Sequence, residues 1–181
     1  MIYIRMNTSL SEFNGMKIEY FNNDALALGS VSINKEWEPH ITKFVKIYNS
    51  LYSIQNIIDI GANIGYHTLL FSQEVKEKVF AFEPQIQNFQ LLEKNIKNND
   101  IQNVIIYNLA CGDVNCDIKM PIVEIKNNSK IINMGDFTPN VGINNNNNCS
   151  ITQSILLDDI ISSQIDLIKI DVQGWEKKVL L

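Results

Sequence analysis

Hydrophobic and polar positions alternate between two periods along this chain of 181 residues. Short apolar runs recur at Asn56–Ile60, Lys78–Phe82, Val104–Tyr107 and Ile165–Asp171, each bounded by Asn, Asp, Gly or Pro. Runs of that length between turn residues read as buried strands of a parallel sheet. Between them the period is helical. Ile64, Thr68, Phe71 and Val75 predict a helix over about 64–75, and Ile86, Phe89, Leu92 and Ile96 a second one reaching about Lys97. Asn98-Asn99-Asp100 closes that second helix, with Asn as a left-handed cap. Upstream, Trp37, Ile41, Phe44, Val45 and Tyr48 share one helical face, with Pro39 near its start. Met16–Tyr20 alternates directly after Asn14-Gly15, a hairpin signal. Strands and helices in alternation through short links imply βαβ units.

The second half is less regular. Cys116–Val123 and Ile151–Leu157 read as strands. Residues 126–150 form an Asn-rich loop, expected to be mobile. Asp158-Asp159 reads as a cap on a short turn rather than a metal pair, and no metal is expected. A helix starts at Trp175 and stops by Leu181. The division that follows is an N-terminal strand and helix segment, 1–50, and an α/β core, 51–181. Its parallel sheet carries helices on both faces and an open edge, with C-terminal strands missing. A missing segment or a partner chain is expected to complete it.

Composition narrows the function classes. Apolar residues make up 45% and charged residues 19%, as in ordinary globular chains. The net charge of −5, with lysines dispersed, argues against a nucleic-acid partner. No apolar run approaches a membrane span, so no membrane partner is expected. Three cysteines without ligand-like spacing fit a reducing, cytoplasmic setting.

The chemistry centres on Asp59-Ile60-Gly61-Ala62-Asn63-Ile64-Gly65, a strand running into a glycine-bearing turn and a helix. Gly61 and Gly65 permit a sharp turn and a close ligand approach to the helix start. A nicotinamide loop would read G-x-G-x-x-G. Here Asn63 and Tyr66 replace the second and third glycines, which disfavours a pyrophosphate and with it a nicotinamide dehydrogenase. Glu83, at the tip of the next strand, suits a ribose diol, because a carboxylate accepts from both hydroxyls. Asp113 is placed to accept from an adenine amino group. An adenosyl ligand without pyrophosphate, S-adenosylmethionine, fits that set.

Asp59–Thr68, Phe80–Pro84, Leu156–Asp159 and Lys169–Glu176 resemble, in order and spacing, the successive motifs of FkbM-type methyltransferases. Trp37–His40 resembles the segment that precedes their first strand. The resemblance covers about residues 36–181. It implies a Rossmann-like class I fold, S-adenosylmethionine as cofactor, and O-methylation of a hydroxyl on a small-molecule or sugar acceptor. It places Gly61, Asn63 and Gly65 on the methionine half, beside Asp59, and it places Glu83 on the ribose and Asp113 near the adenine. It places Asp171 beside the transferable methyl; the position of Asp171 at a strand end makes it the candidate catalytic base, with His67 and His40 as runners-up because an imidazole titrates near physiological pH. Gln173 stands where the family usually has Glu. The alternative to an enzyme is a truncated, inactive remnant that still binds the cofactor.

Overall fold

The structure, a computed structural model, describes residues 7–25, 29–33, 36–123, 133–136 and 148–181. It opens on a hairpin of β1 (Thr8–Phe13) and β2 (Met16–Phe21), turned at Asn14 and Gly15, both at positive φ. Helix α1 (Pro39–Tyr52) leads to β3 (Asn56–Ile60), followed by α2 (Tyr66–Ser72), β4 (Lys78–Phe82), α3 (Ile86–Asn98) and β5 (Val104–Tyr107). Then come β6 (Leu109–Cys111), β7 (Cys116–Pro121), β8 (Cys149–Ile155), β9 (Leu167–Ile170) and the one-turn α4 (Glu176–Val179).

The core sheet is all parallel, in the order β5-β4-β3-β9. In order along the chain that is strand 3-2-1-4, the Rossmann-type arrangement. Its switch point lies between β3 and β9, where a crevice opens at the carboxyl ends of the strands. β6, β8 and β7 form a second, smaller sheet.

Alternation along the strands sorts the residues onto two faces. Ile57, Val79, Ala81 and Val104 face the three long helices and pack against Val45, Phe71 and Leu92. Ile58, Ile60, Phe80 and Phe82 face the other way, onto Cys111, Ile155 and Val179 of α4. Helices therefore lie on both faces, but β6, β8 and residues 157–165 cover most of the second. The sequence pattern missed β6, which is only three residues long. Helix α2 is shorter than its periodicity suggests, and all but its last residue are buried. Phe44, expected on the inner face of α1, is 54% exposed. Within this sheet β9 is an edge strand, and Ile168 on it is exposed. Most of the expected 126–150 loop lies outside the described residues.

The buried face of α3 carries Gln87, Asn88 and Asn95 beside Leu91 and Leu92. Asn95 and Asn99 act as a surrogate strand for β2. Asn95 Oδ1 accepts the Glu19 N–H (2.6 Å) while its amide donates to the Glu19 carbonyl (2.9 Å) and to that of Ile64 (2.8 Å). Asn99 exchanges the same pair of bonds with Lys17, both at 2.7 Å. The left-handed residue after α3 is accordingly Asp100, not an asparagine. Replacing Asn95 by Ala is expected to cost about 3 kcal/mol, near 1 kcal/mol for each bond lost. Urea unfolding measures the loss, and faster amide exchange at Lys17 and Glu19 would localise it to the hairpin.

Candidate functional site

The carboxyl ends of β3, β4 and β9 converge on one loop. Gly61 has φ +78°, and a Cβ there would run into the Asp171 carbonyl, so only glycine lets the β3 and β9 turns touch. The Gly61 and Ala62 N–H groups both donate to the Phe82 carbonyl at 3.0 Å, and the Asp171 N–H donates to Ile60 O at 3.0 Å. Lys169 donates to Gly61 O at 2.9 Å and pairs with Asp59 Oδ1 at 3.0 Å.

A cavity of about 190 Å³ opens above this loop. Gly61, Asn63, Glu83 and Asp171 line it, so the structure brings together four of the seven residues singled out from sequence. The other three sit elsewhere. Asp59 is fully buried beneath the loop, bonded to Thr68 Oγ1 (2.6 Å) and to Lys169. Gly65, at φ +93°, is a packing position, because a Cβ there would lie 2.6 Å from Leu92 Cδ1. Asp113 pairs with Lys178 at 3.3 Å on the outside.

Glu83 is the polar centre of the cavity wall. It is 5% exposed, and its two oxygens accept the Asn63 N–H (2.8 Å) and the Gln85 N–H (2.9 Å). Burial pushes its carboxyl up to about 7; the two backbone bonds and the Lys169 charge oppose that rise without cancelling it. Asp171 is exposed, and one of its oxygens accepts from the Gln173 amide at 3.0 Å. A Glu at 173 would instead set two carboxylates side by side.

The runners-up for a base are placed differently. His67 is buried in α2, between Tyr66 and Phe71. Burial, followed by the Lys169 charge, lowers it to about 4, so it is neutral near pH 7 and away from the cavity. His40 lines a separate groove beside α1 and β9. Neither Asp158 nor Asp159 caps the turn at Leu157–Asp159, because Leu156 occupies that position.

Sequence reasoning missed part of the wall. Trp37 and Trp175 line the cavity, and so do Asn88, Met134 and Gly135. Trp175, directly before α4, thus belongs to the cavity wall. Asn63 Oδ1, Asn88 Oδ1 and Trp175 Nε1 are buried with no hydrogen-bond partner. Such atoms are costly unless a ligand or water satisfies them, so the wall suits a ligand that carries both donors and acceptors. The polar residues interleaved on the apolar period of α3 were the available signal.

The Methyltransferase FkbM domain matches residues 59–181, more than half of the chain. This chain belongs to the FkbM methyltransferase family. No curated protein matches it. Among solved structures, it is similar to M. jannaschii TYW2 in complex with AdoMet, at 19% identity and TM-score 0.39 over 59% of this chain and 45% of that one. It is also similar to Trm5b from Pyrococcus abyssi, at 15% identity and TM-score 0.40 over 61% and 34%. A third is P. horikoshii TYW2 in complex with MeSAdo, at 20% identity and TM-score 0.39 over 60% and 38%. The FkbM chain spans less than half the length of each of these structures. Among its described residues, no helix is long and apolar enough to cross a membrane.

Proposed function

We propose that this FkbM chain binds S-adenosylmethionine in the cavity at the β3–β9 switch point and methylates a hydroxyl oxygen of a small-molecule or sugar acceptor. The observation that carries the reading is Glu83, buried in the cavity wall and held by two backbone N–H groups. Ribose hydroxyls are donors, and a preorganised carboxylate at the tip of β4 accepts from both. The Gly61 turn and Asn63 take the methionine half.

When bound, the cofactor supplies a methyl group already activated on a sulfonium. What remains for the protein is alignment and exclusion of water. The apolar wall of Ile60, Phe82, Trp37 and Trp175 keeps the site dry. Asp171 faces the cavity with one oxygen steadied by Gln173, which leaves its other oxygen to orient the acceptor hydroxyl and take its proton. Gln173 is thus a positioning donor to Asp171, a part that an ionised Glu could not take.

Calorimetric titration with S-adenosylhomocysteine, set beside NAD, tests the reading. Micromolar binding of the first and none of the second is expected. A folded chain that binds neither would overturn the cofactor reading, and binding of NAD alone would restore a dehydrogenase.

A further inference from the structure

Two residues of the cavity wall, Asn63 and Asn88, carry carboxamide oxygens that are buried without a partner. Asn88, 2% exposed in the first turn of α3, donates its amide to the Met134 carbonyl at 2.8 Å. Flipping that amide would set oxygen against oxygen, so the bond fixes its orientation and leaves Oδ1 facing elsewhere. The Asn63 amide nitrogen lies close to Gly135, where a Cβ would come within 2.8 Å of it. Residues 133–136 are themselves held in place, because the Met134 N–H donates to Asp24 Oδ1 at 3.0 Å and the Met134 side chain is buried. Both amide nitrogens lie toward this segment, the Asn88 amide also facing the Glu83 carboxylate, and the oxygens of both asparagines are buried with no partner.

Where the two asparagine oxygens and the Glu83 carboxylate line the cavity, the fitting group is one that carries several donors. A carboxylate or a pyrophosphate would be repelled there, and a single hydroxyl would satisfy only one of the two asparagine oxygens. On the cofactor proposed above, the adenine amino group and the α-ammonium both carry several donors, and the α-ammonium alone adds the positive charge that suits a wall with a carboxylate in it.

We propose that Asn88 of α3 and Asn63 of the β3 turn together receive the α-ammonium of the cofactor, with the Met134 carbonyl orienting the Asn88 amide. The assignment rests on the cofactor reading and adds to it Asn88, a binding residue outside the glycine loop. It also gives a role to the short segment over the cavity: seating Met134 sets the Asn88 amide before any ligand arrives, which lowers the ordering cost of binding.

Calorimetry with three ligands separates this assignment from the reading on which it rests. The ligands are S-adenosylhomocysteine, its des-amino analogue and 5′-methylthioadenosine, which lacks the amino-acid half. The wild-type chain is expected to bind S-adenosylhomocysteine about tenfold to a hundredfold more tightly than the des-amino analogue, the range for a hydrogen-bonded charge. In Asn88→Leu that preference should shrink towards unity, while affinity for methylthioadenosine stays within about twofold. Asn63→Gly, which tolerates the φ of +53° at that position, should shrink it independently of any effect of Asn88 on folding. Equal losses for all three ligands would overturn the assignment and make Asn88 a structural or ribose-contacting residue. So would a wild-type chain that does not distinguish S-adenosylhomocysteine from its des-amino analogue. A wild-type chain that fails to bind even methylthioadenosine would overturn the cofactor reading itself.

Discussion

Affinity for S-adenosylhomocysteine is expected to fall about tenfold for each pH unit below 7, and Glu83→Gln to flatten that profile while weakening binding. Ribose hydroxyls donate to an ionised carboxylate. Burial raises the Glu83 carboxyl to about 7, so below that pH the ligand must displace a proton. The same shift acts on the ligand-free chain. Its raised value means that the folded state holds this proton more tightly than the unfolded state. The stability it contributes is complete below the unfolded value of 4.5 and is lost as pH rises through about 7. The gap corresponds to about 3 kcal/mol, so the melting temperature without ligand should drop between about pH 4.5 and about pH 7. The Gln variant should lack that drop, although one of the two backbone N–H groups then loses its acceptor, at a cost of about 1 kcal/mol. A chain whose affinity is flat across this range, or rises with acid, would remove Glu83 from the ribose. Saturating ligand should cancel that fall in stability between about pH 4.5 and about pH 7, because the bound chain holds the carboxylate ionised against hydroxyl partners.

The core sheet was legible because its strands are unbroken apolar runs and its helices keep a 3.6-residue period. Asn56–Ile60 and Lys78–Phe82 match the expected strands residue for residue. The polar face of α3 was not legible. Gln87, Asn88 and Asn95 look like solvent positions in a helical pattern, yet all three are buried. Their partners lie on other elements, Glu19 in β2, Val123 beyond β7 and Met134 in the 133–136 segment. Local periodicity carries no information about bonds formed across 36 to 76 positions of sequence.

The site divides in the same way. Gly61, Asn63, Glu83 and Asp171 sit at strand ends and turns, which parallel topology delivers to one crevice. Asp59 belongs to the same motif but points to the helix face. Within a strand, adjacent side chains alternate, and Ile60 takes the cavity side. Gly65 is one turn further on, where the requirement is clearance for Leu92 rather than for a ligand. Asp113 follows β6, the strand the pattern missed, so its position could not be anticipated.

Lys169→Met is expected to destabilise the chain by about 3–5 kcal/mol, a large part of the stability of an ordinary domain. Asp59 is wholly buried and the Lys169 side chain is 11% exposed, so the pair has little water to fall back on. Without the lysine, the Asp59 carboxylate keeps only the Thr68 hydroxyl, and the Gly61 carbonyl loses its donor. Removing both charges should cost much less than removing one, because no unpaired buried charge is left behind. In urea unfolding, Asp59→Asn/Lys169→Met should therefore recover most of the loss, and the interaction energy from the cycle measures the pairing. A single-variant cost below about 1 kcal/mol would mean that the pair behaves as a solvated surface contact. The double variant also reports on the cavity. Lys169 is one of the influences that hold the Glu83 carboxyl down, so its removal should raise that value further. The pH at which the double variant gains its affinity for S-adenosylhomocysteine should then lie above that of the wild type. That displacement would tie the β9 lysine to the cofactor site by charge as well as through the Gly61 loop.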